Sequence, residues 1–259
     1  MSALAGFGAF EYAWVAVAAL VAGVVNAIAG GGTLITFPMM TAVGIPPLLA
    51  NVTNSVALCP GYLGGTLAQA RDLAGQRTRL RWLLPAGLLG GIVGGLLLVA
   101  SGERLFGTLV PYLILFAAAL LALQDPIRRW MLRRIERHAA RGLDERWTAV
   151  PIALSAVYGG YFGAGLGVIM LATLGITLDD TLNRLNAVKQ LLSLVINLAA
   201  AVYFAFAAPV LWPVAAVMAV GALAGGALGG RLASRVKPAT LRYSVVAIGI
   251  AVGIYYLVK

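Results

Sequence analysis

Long apolar runs separated by short charged segments organise this chain. The charged segments fall at 71–81, 125–146 and 231–242. The runs between them approach 20 residues, enough to cross a bilayer as helices. Between the first two segments the pattern predicts helices 82–100 and 106–124, joined by a short outer turn at Ser101–Arg104. The stretch from 147 to 230 first reads as three spans, 149–171, 183–207 and 211–230. Three crossings cannot return to the side on which they began.

The run Tyr158–Gly167, YGGYFGAGLG, resolves this, because five glycines interrupt the first of those spans. Glycine costs about 1 kcal/mol inside a helix and lets the chain turn sharply. Residues 149–175 therefore read as a re-entrant hairpin of two half-helices, entering from the cytoplasm and returning to it. Such backbone is tolerated at membrane depth only against protein or a water-filled cavity. The N-terminal segment has the same anatomy. A helix from Tyr12 meets NAIAGGGT at Asn26–Thr33, and a short apolar piece then runs to Val43 and Gly44.

Corresponding features recur at a nearly constant offset. Gly30 maps to Gly163, Asn51 to Asn186, and the ladder Gly87, Gly91, Gly95 to Gly221, Gly225, Gly229. The expected fold is an all-α polytopic membrane protein of two inverted-topology repeats. Each repeat is a re-entrant or broken-helix hairpin plus three transmembrane helices. The first, 1–124, holds hairpin 12–44 and helices 48–70, 82–100 and 106–124; a basic cytoplasmic loop spans 125–148. The second, 149–259, holds hairpin 149–175 and helices 180–207, 211–230 and 240–258. The glycine ladders are small-xxx-small faces for close helix packing.

Composition agrees with this pattern. Of 259 residues, 61% are hydrophobic and 11% charged, against about 25% charged in soluble domains. The formal charge of +10 raises nucleic acid as a partner, but the three loops hold 15 of the 19 basic residues. That is positive-inside topology: it places those loops in the cytoplasm and both termini outside. No basic residue precedes the first apolar stretch and no clear A-x-A site follows it, so Met1 reads as retained, without a signal peptide. Cys59 is the lone cysteine and carries no redox information.

Two segments concentrate polar groups among apolar ones. In ANVTNS (Ala50–Ser55), Asn51 and Asn54 share a helix face at i, i+3. In NAVKQ (Asn186–Gln190), Lys189 is expected about three turns into a helix whose start is marked by capping-box spacing of Thr177 and Asp180. The candidate site joins the hairpin tips to these segments. Gly30, Gly31, Gly32 and Thr33 would present one half-helix N-terminus, and Gly163, Gly165 and Gly167 another. Unpaired N–H groups at such ends attract anions. Asn51, Thr53, Asn54, Ser55, Asn186 and Gln190 would add hydrogen bonds, and Lys189 a full positive charge.

Structural readings stand beside these. Lys189 could snorkel to the inner interface, and Asn51 and Asn54 could be interhelical glue. Arg184 pairs best with Asp180 at i, i+4. His138 falls in a basic, amphipathic, headgroup-facing stretch. All nine carboxylates lie in expected loops or span ends, so none serves as a buried proton relay. No P-loop, metalloprotease or nucleophile-elbow motif is present, which excludes an ATP-driven pump and leaves no enzyme, metal or cofactor reading.

The motifs NAIAGGGT, ANVTNS, GAGLG (Gly163–Gly167) and NAVKQ together resemble the TauE/SafE family of membrane permeases, the sulfite exporter family. The resemblance covers essentially the whole chain. It implies movement of sulfite, sulfoacetate or related small sulfur-containing anions across a bacterial cytoplasmic membrane, with the glycine tips and polar helix starts as substrate region. Relatives often carry Ser or Thr before the lysine, where this chain has Val188. The expected partners are a small anion and membrane lipid, without nucleic acid; a homo-oligomer is compatible with the class. The alternative reading is a membrane scaffold or assembly partner without transport activity.

Overall fold

A computed structural model describes residues 8–28, 31–137, 145–232 and 238–258. Every α-element among them follows in order: α1 (Ala9–Ile28), α2 (Thr33–Ala42), α3 (Pro47–Ala68), α4 (Arg77–Ala122), α5 (Gln124–Arg137), α6 (Glu145–Tyr161), α7 (Leu166–Thr177), α8 (Leu182–Ala207), α9 (Trp212–Leu232) and α10 (Pro238–Val258). Gly30, His138, Arg235, Lys237 and Lys259 lie outside the described residues.

Among the described residues, four stretches are long and apolar enough to cross a membrane: Ala9–Asn26, Arg77–Ala122, Leu182–Ala207 and Ala239–Val258. At 46 residues α4 is about twice one crossing. It divides at Gly102, whose φ of 66° and ψ of 175° leave the helical region, into limbs 77–101 and 103–122. Large apolar side chains face outward on these helices; Phe206 is 89% exposed and Val220 69%. A soluble protein does not leave such surface to water, whereas lipid accepts it.

α2 and α7 are only 10 and 12 residues long, about 15 and 18 Å at roughly 1.5 Å per residue. They return only part of the way across. The first arms are longer than a half-helix, and this corrects the expectation for 149–175. α6 has 17 residues, roughly 25 Å. The reason lies in how the five glycines divide. Gly159 and Gly160 stay inside α6, where the absent Cβ lets other helices approach. Only Gly163 (φ 74°) and Gly165 (φ 77°) take the left-handed backbone that makes the turn.

The bundle has two distinguishable ends. Gln69 and Gln76 meet Asn186 and the Arg184 carbonyl, Arg79 meets Asp180, and Asp125 pairs with Arg242 at one end. That end carries the basic segments. At the other end the Leu48 N–H donates to Glu103, and the Leu211 N–H donates to Thr53. α2 leads into the start of α3 at this second end, and α7 leads to Asp180 at the basic end.

Close packing is concentrated in two seams, α1 along α9 and the first limb of α4 along α6. A Cβ on Gly221 would meet the Ala16 carbonyl at 2.9 Å and the Ala19 methyl at 3.1 Å. A Cβ on Gly90 would meet the Ala153 carbonyl at 2.6 Å and, one turn on, the Ala156 methyl. Gly225 and Gly94 repeat this against the Leu20 and Val157 carbonyls. Between the seams, α3 packs on α8 through the centre.

Candidate functional site

Beside α8 and the two hairpin tips, a cavity of about 360 Å³ opens at the basic end. Gly31, Gly32 and Thr33 line it from the first hairpin, and Gly163, Gly165 and Gly167 from the second. α2 begins after Gly32 and α7 after Gly165, and neither N-terminus is capped by a side chain. The Leu34, Ile35, Leu166 and Val168 N–H groups are taken up by the carbonyls of Gly31, Gly32, Gly163 and Gly165, so two helix starts face one space with only part of their first-turn donors left over.

α8 supplies the side chains. Thr181 is its N-cap, with its hydroxyl accepting from the Arg184 N–H at 3.4 Å. The capping box expected at Thr177 and Asp180 does not form, because Thr177 is the last residue of α7 and its hydroxyl turns back to the Thr173 carbonyl. Lys189 consequently lies about two turns into α8, not three. Asn186, Lys189 and Gln190 all line the cavity. Asn186 donates to the Gln69 side chain at 2.6 Å. Lys189 is half-buried and has no hydrogen-bond or ion-pair partner among the described residues. Its stem passes beside Gly167, where an added Cβ would make ordinary contact with its Cδ at 3.8 Å.

No carboxylate appears among the described residues of the lining, while Lys189 and Arg128 do. The remaining polar lining includes Asn26, Tyr62, Asn183 and Ser193. The cavity is therefore electropositive, donor-rich and free of competing anionic groups. No group of acidic, His or Cys side chains among the described residues could hold a metal ion.

The α3 segment sits elsewhere. Asn51, Thr53 and Asn54 are buried and do not line the cavity, nor does Ser55. Asn54 accepts the Thr36 hydroxyl at 2.6 Å, which ties α3 to the first hairpin. Asn51 donates to the Tyr161 carbonyl at 2.9 Å, the last residue of α6, which ties α3 to the second. Thr53 receives the Leu211 N–H at the entrance to α9. Ser55 bonds back to the Asn51 carbonyl at 2.9 Å.

Beyond the tips, toward the second end, the interior is filled. Phe37, Phe106 and Phe162 are almost wholly buried. Phe37 stands edge-on to Phe106 and Phe162 at centroid distances of 6.4 and 5.5 Å. Tyr161 meets Phe106 at 5.8 Å, and its hydroxyl lies 3.1 Å from that of Ser101 beside the α4 kink.

Asn26, Tyr62, Gln69, Gln124, Asn183 and Ser193 line the cavity without having been candidates, and Arg128 is the charged lining residue that sequence reasoning missed. Four arginines share α5 with it, and the helix reads as uniformly headgroup-facing. The available signal was spacing. Gln124, Ile127, Arg128 and Met131 fall at i, i+3, i+4 and i+7 on one face, and that face turns inward.

A helical bundle with a lipid-compatible exterior and an interior polar cavity closed at one end defines an integral membrane protein of the transporter class. The chain belongs to the sulfite exporter TauE/SafE family, which it matches over residues 15–256. It is 29% identical to the probable membrane transporter protein ORF9 of a Sinorhizobium species, over 95% of this chain and 92% of that protein. It is 30% identical to a probable membrane transporter protein of Haemophilus influenzae, over 82% and 81% of the two chains. Similarity to the probable membrane transporter protein YfcA of Escherichia coli K12 is 25% over 83% and 77%. No solved structure matches the chain. The membership makes the protein a membrane transporter acting on a small molecule.

Proposed function

We propose that the protein is a secondary permease exporting a small sulfur-containing anion, such as sulfite, sulfoacetate or a related organosulfonate, across a bacterial cytoplasmic membrane. The observation that carries this reading is Lys189, a cation facing a cavity with two helix N-termini that no side chain caps, and without a partner or a lining carboxylate among the described residues. An unpaired charge away from bulk water is costly, so a binding role gives it a reason to be kept. Gly31, Gly32, Thr33, Gly163, Gly165, Gly167, Asn186 and Gln190 complete the substrate region, with Gly30 beside them in sequence.

The repeats are of inverted topology in this reading. The paired seams support it: Gly221 and Gly225 meet α1 at the same kinds of atoms that Gly90 and Gly94 meet on α6. So do α2 and α7, which lead to opposite ends. Transporters of this plan hold substrate between the repeats and alternate access by rocking one against the other. The described conformation is then inward-open, with Phe37, Phe106 and Phe162 as outer barrier. In the opposite conformation Asn51, Thr53, Asn54 and Ser55 line the outward cavity. Both termini lie outside. With the interior negative, each exported charge gains about 2.3 kcal/mol per 100 mV, so export needs no proton relay.

Flux into proteoliposomes tests this directly, using sulfite, thiosulfate, sulfoacetate, taurine and chloride with and without an imposed potential. Saturable flux of a sulfur anion that follows the potential is expected. Flux that requires a proton or sodium gradient would refute the uncoupled mechanism. Folded protein that moves none of these solutes would refute the permease reading and favour a scaffold.

A further inference from the structure

The cavity is larger than one oxyanion needs. Its 360 Å³ corresponds to about twelve waters at roughly 30 Å³ each, while a sulfite ion has four heavy atoms. It also presents two cations at different depths. Lys189 stands inside on α8, and Arg128 is exposed at the rim on α5. Neither has a carboxylate partner among the described residues.

Arg128 is held in place on both sides. One turn before it, Asp125 forms a two-pronged ion pair with the buried Arg242 of α10. One turn after it, Met131 is fully buried against Gly175 of α7, where a Cβ would overlap the methionine side chain. Between these anchors Gln124 and Ile127 line the cavity with Arg128. Arg129 and Arg133, on the same helix, are exposed away from it. The inward turn of one arginine is thus set by the docking of α5. A guanidinium forms paired hydrogen bonds to a planar or tetrahedral acid group, which a lysine cannot.

Resting on the transport reading above, we propose that Arg128 is a second substrate anchor and a specificity-determining residue. It engages the far acidic group of a small anion whose near acidic group lies at Lys189. The site then selects two-ended dianions over monoanions of equal length.

The test compares ethanesulfonate with 1,2-ethanedisulfonate, probes that differ by one separated acid group. Binding to the purified full-length protein is measured calorimetrically in wild type, Arg128→Gln, Arg128→Lys and Arg129→Gln, each checked for wild-type thermal unfolding. The wild type is expected to bind the disulfonate at least about tenfold more tightly. Arg128→Gln should collapse that ratio toward one, Arg128→Lys should recover part of it, and Arg129→Gln should leave it intact. An unchanged ratio in Arg128→Gln, or no preference in the wild type, overturns the second anchor while the permease reading stands. Binding of neither probe to folded wild type, together with absent flux of every sulfur anion, overturns both.

Discussion

α3 and α8 start with similar polar sequences and meet at the centre of the bundle, yet their side chains live in different surroundings. On α3, Asn51, Thr53 and Asn54 are buried, and each bonds a different neighbour: the second hairpin, the α9 entrance and the first hairpin. On α8, Asn186, Lys189 and Gln190 face the cavity, and Lys189 bonds nothing among the described residues. The difference lies in the hairpins. α2 presses against α3 through Thr36, whereas Gly65 leaves space for Gln190 beside α8. One set of polar residues fastens the fold, and the other is held open by it.

Lys189→Ala against Asn54→Ala is the sharpest way to break this contrast. Removing a charged contact to a bound anion is expected to cost about 2–5 kcal/mol of affinity, ~30-fold or more. Flux should fall accordingly, while stability holds or rises because an unpaired cation has gone. Asn54→Ala should instead lose stability, by about 0.5–1.5 kcal/mol, because the short bond from Thr36 is lost and its hydroxyl keeps only the Gly32 carbonyl at 3.3 Å. Proteoliposome flux and thermal unfolding measured on both variants decide it. An Asn54→Ala variant as stable as wild type would erase the distinction.

Thiol labelling sharpens it further. With Cys59 replaced by Ser, Asn186→Cys should react at least about tenfold faster than Asn54→Cys with a membrane-impermeant reagent applied from the basic end, since only the first position lines the cavity. Ethanesulfonate should slow the Asn186→Cys reaction. Equal rates would mean that the two segments share one environment.

The all-helical membrane plan was legible because breaks in apolar runs are a strong signal. The glycine turn at 163–165 and the α4 division at Gly102, inside the expected turn Ser101–Arg104, both sit where hydrophobic pattern and charge require a reversal. What failed to show was which neighbour each residue would meet. The ladder Gly87, Gly91, Gly95 pairs by sequence with Gly221 and Gly225, but in the fold these three face α8. The glycines that match Gly221 and Gly225 in surroundings are Gly90 and Gly94, one register over on α4. Helical spacing identifies a face and leaves its partner open. The same limit hid Arg128, and it left Asn51 open between ligand and glue.

Those seams supply a third comparison, between halves rather than helices. Gly94→Ala and Gly225→Ala each place a methyl against a facing carbonyl. Overpacking of this kind costs about 1–3 kcal/mol. If the halves are equivalent in packing, both variants should lower the unfolding temperature by similar amounts. A large loss at one and none at the other would confine the close seam to one half.

The smallest expected effect concerns how the two central helices begin. Glu103 accepts the N–H of Leu48 in the first turn of α3, and Asp180 stands just before α8, so each start has a carboxylate near its positive end. They differ in company. Burial alone would raise the Asp180 pKa, but hydrogen bonds from Arg79, Arg184 and the Thr181 N–H hold it below the ordinary carboxylate value. A carboxyl group with a lowered folded-state pKa stabilises fully above its unfolded value, near about 3.9, and loses that contribution as pH falls through the folded one. Asp180→Asn should therefore reduce stability by no more than about 1 kcal/mol at neutral pH, as for a partly solvated ion-pair network. The deficit should shrink below about pH 4 and in high salt. Glu103→Gln, which keeps a carbonyl acceptor and disrupts no arginine pair, should change less. A pH-independent deficit in Asp180→Asn would mean that the residue acts through its shape at the α8 entrance rather than through its charge.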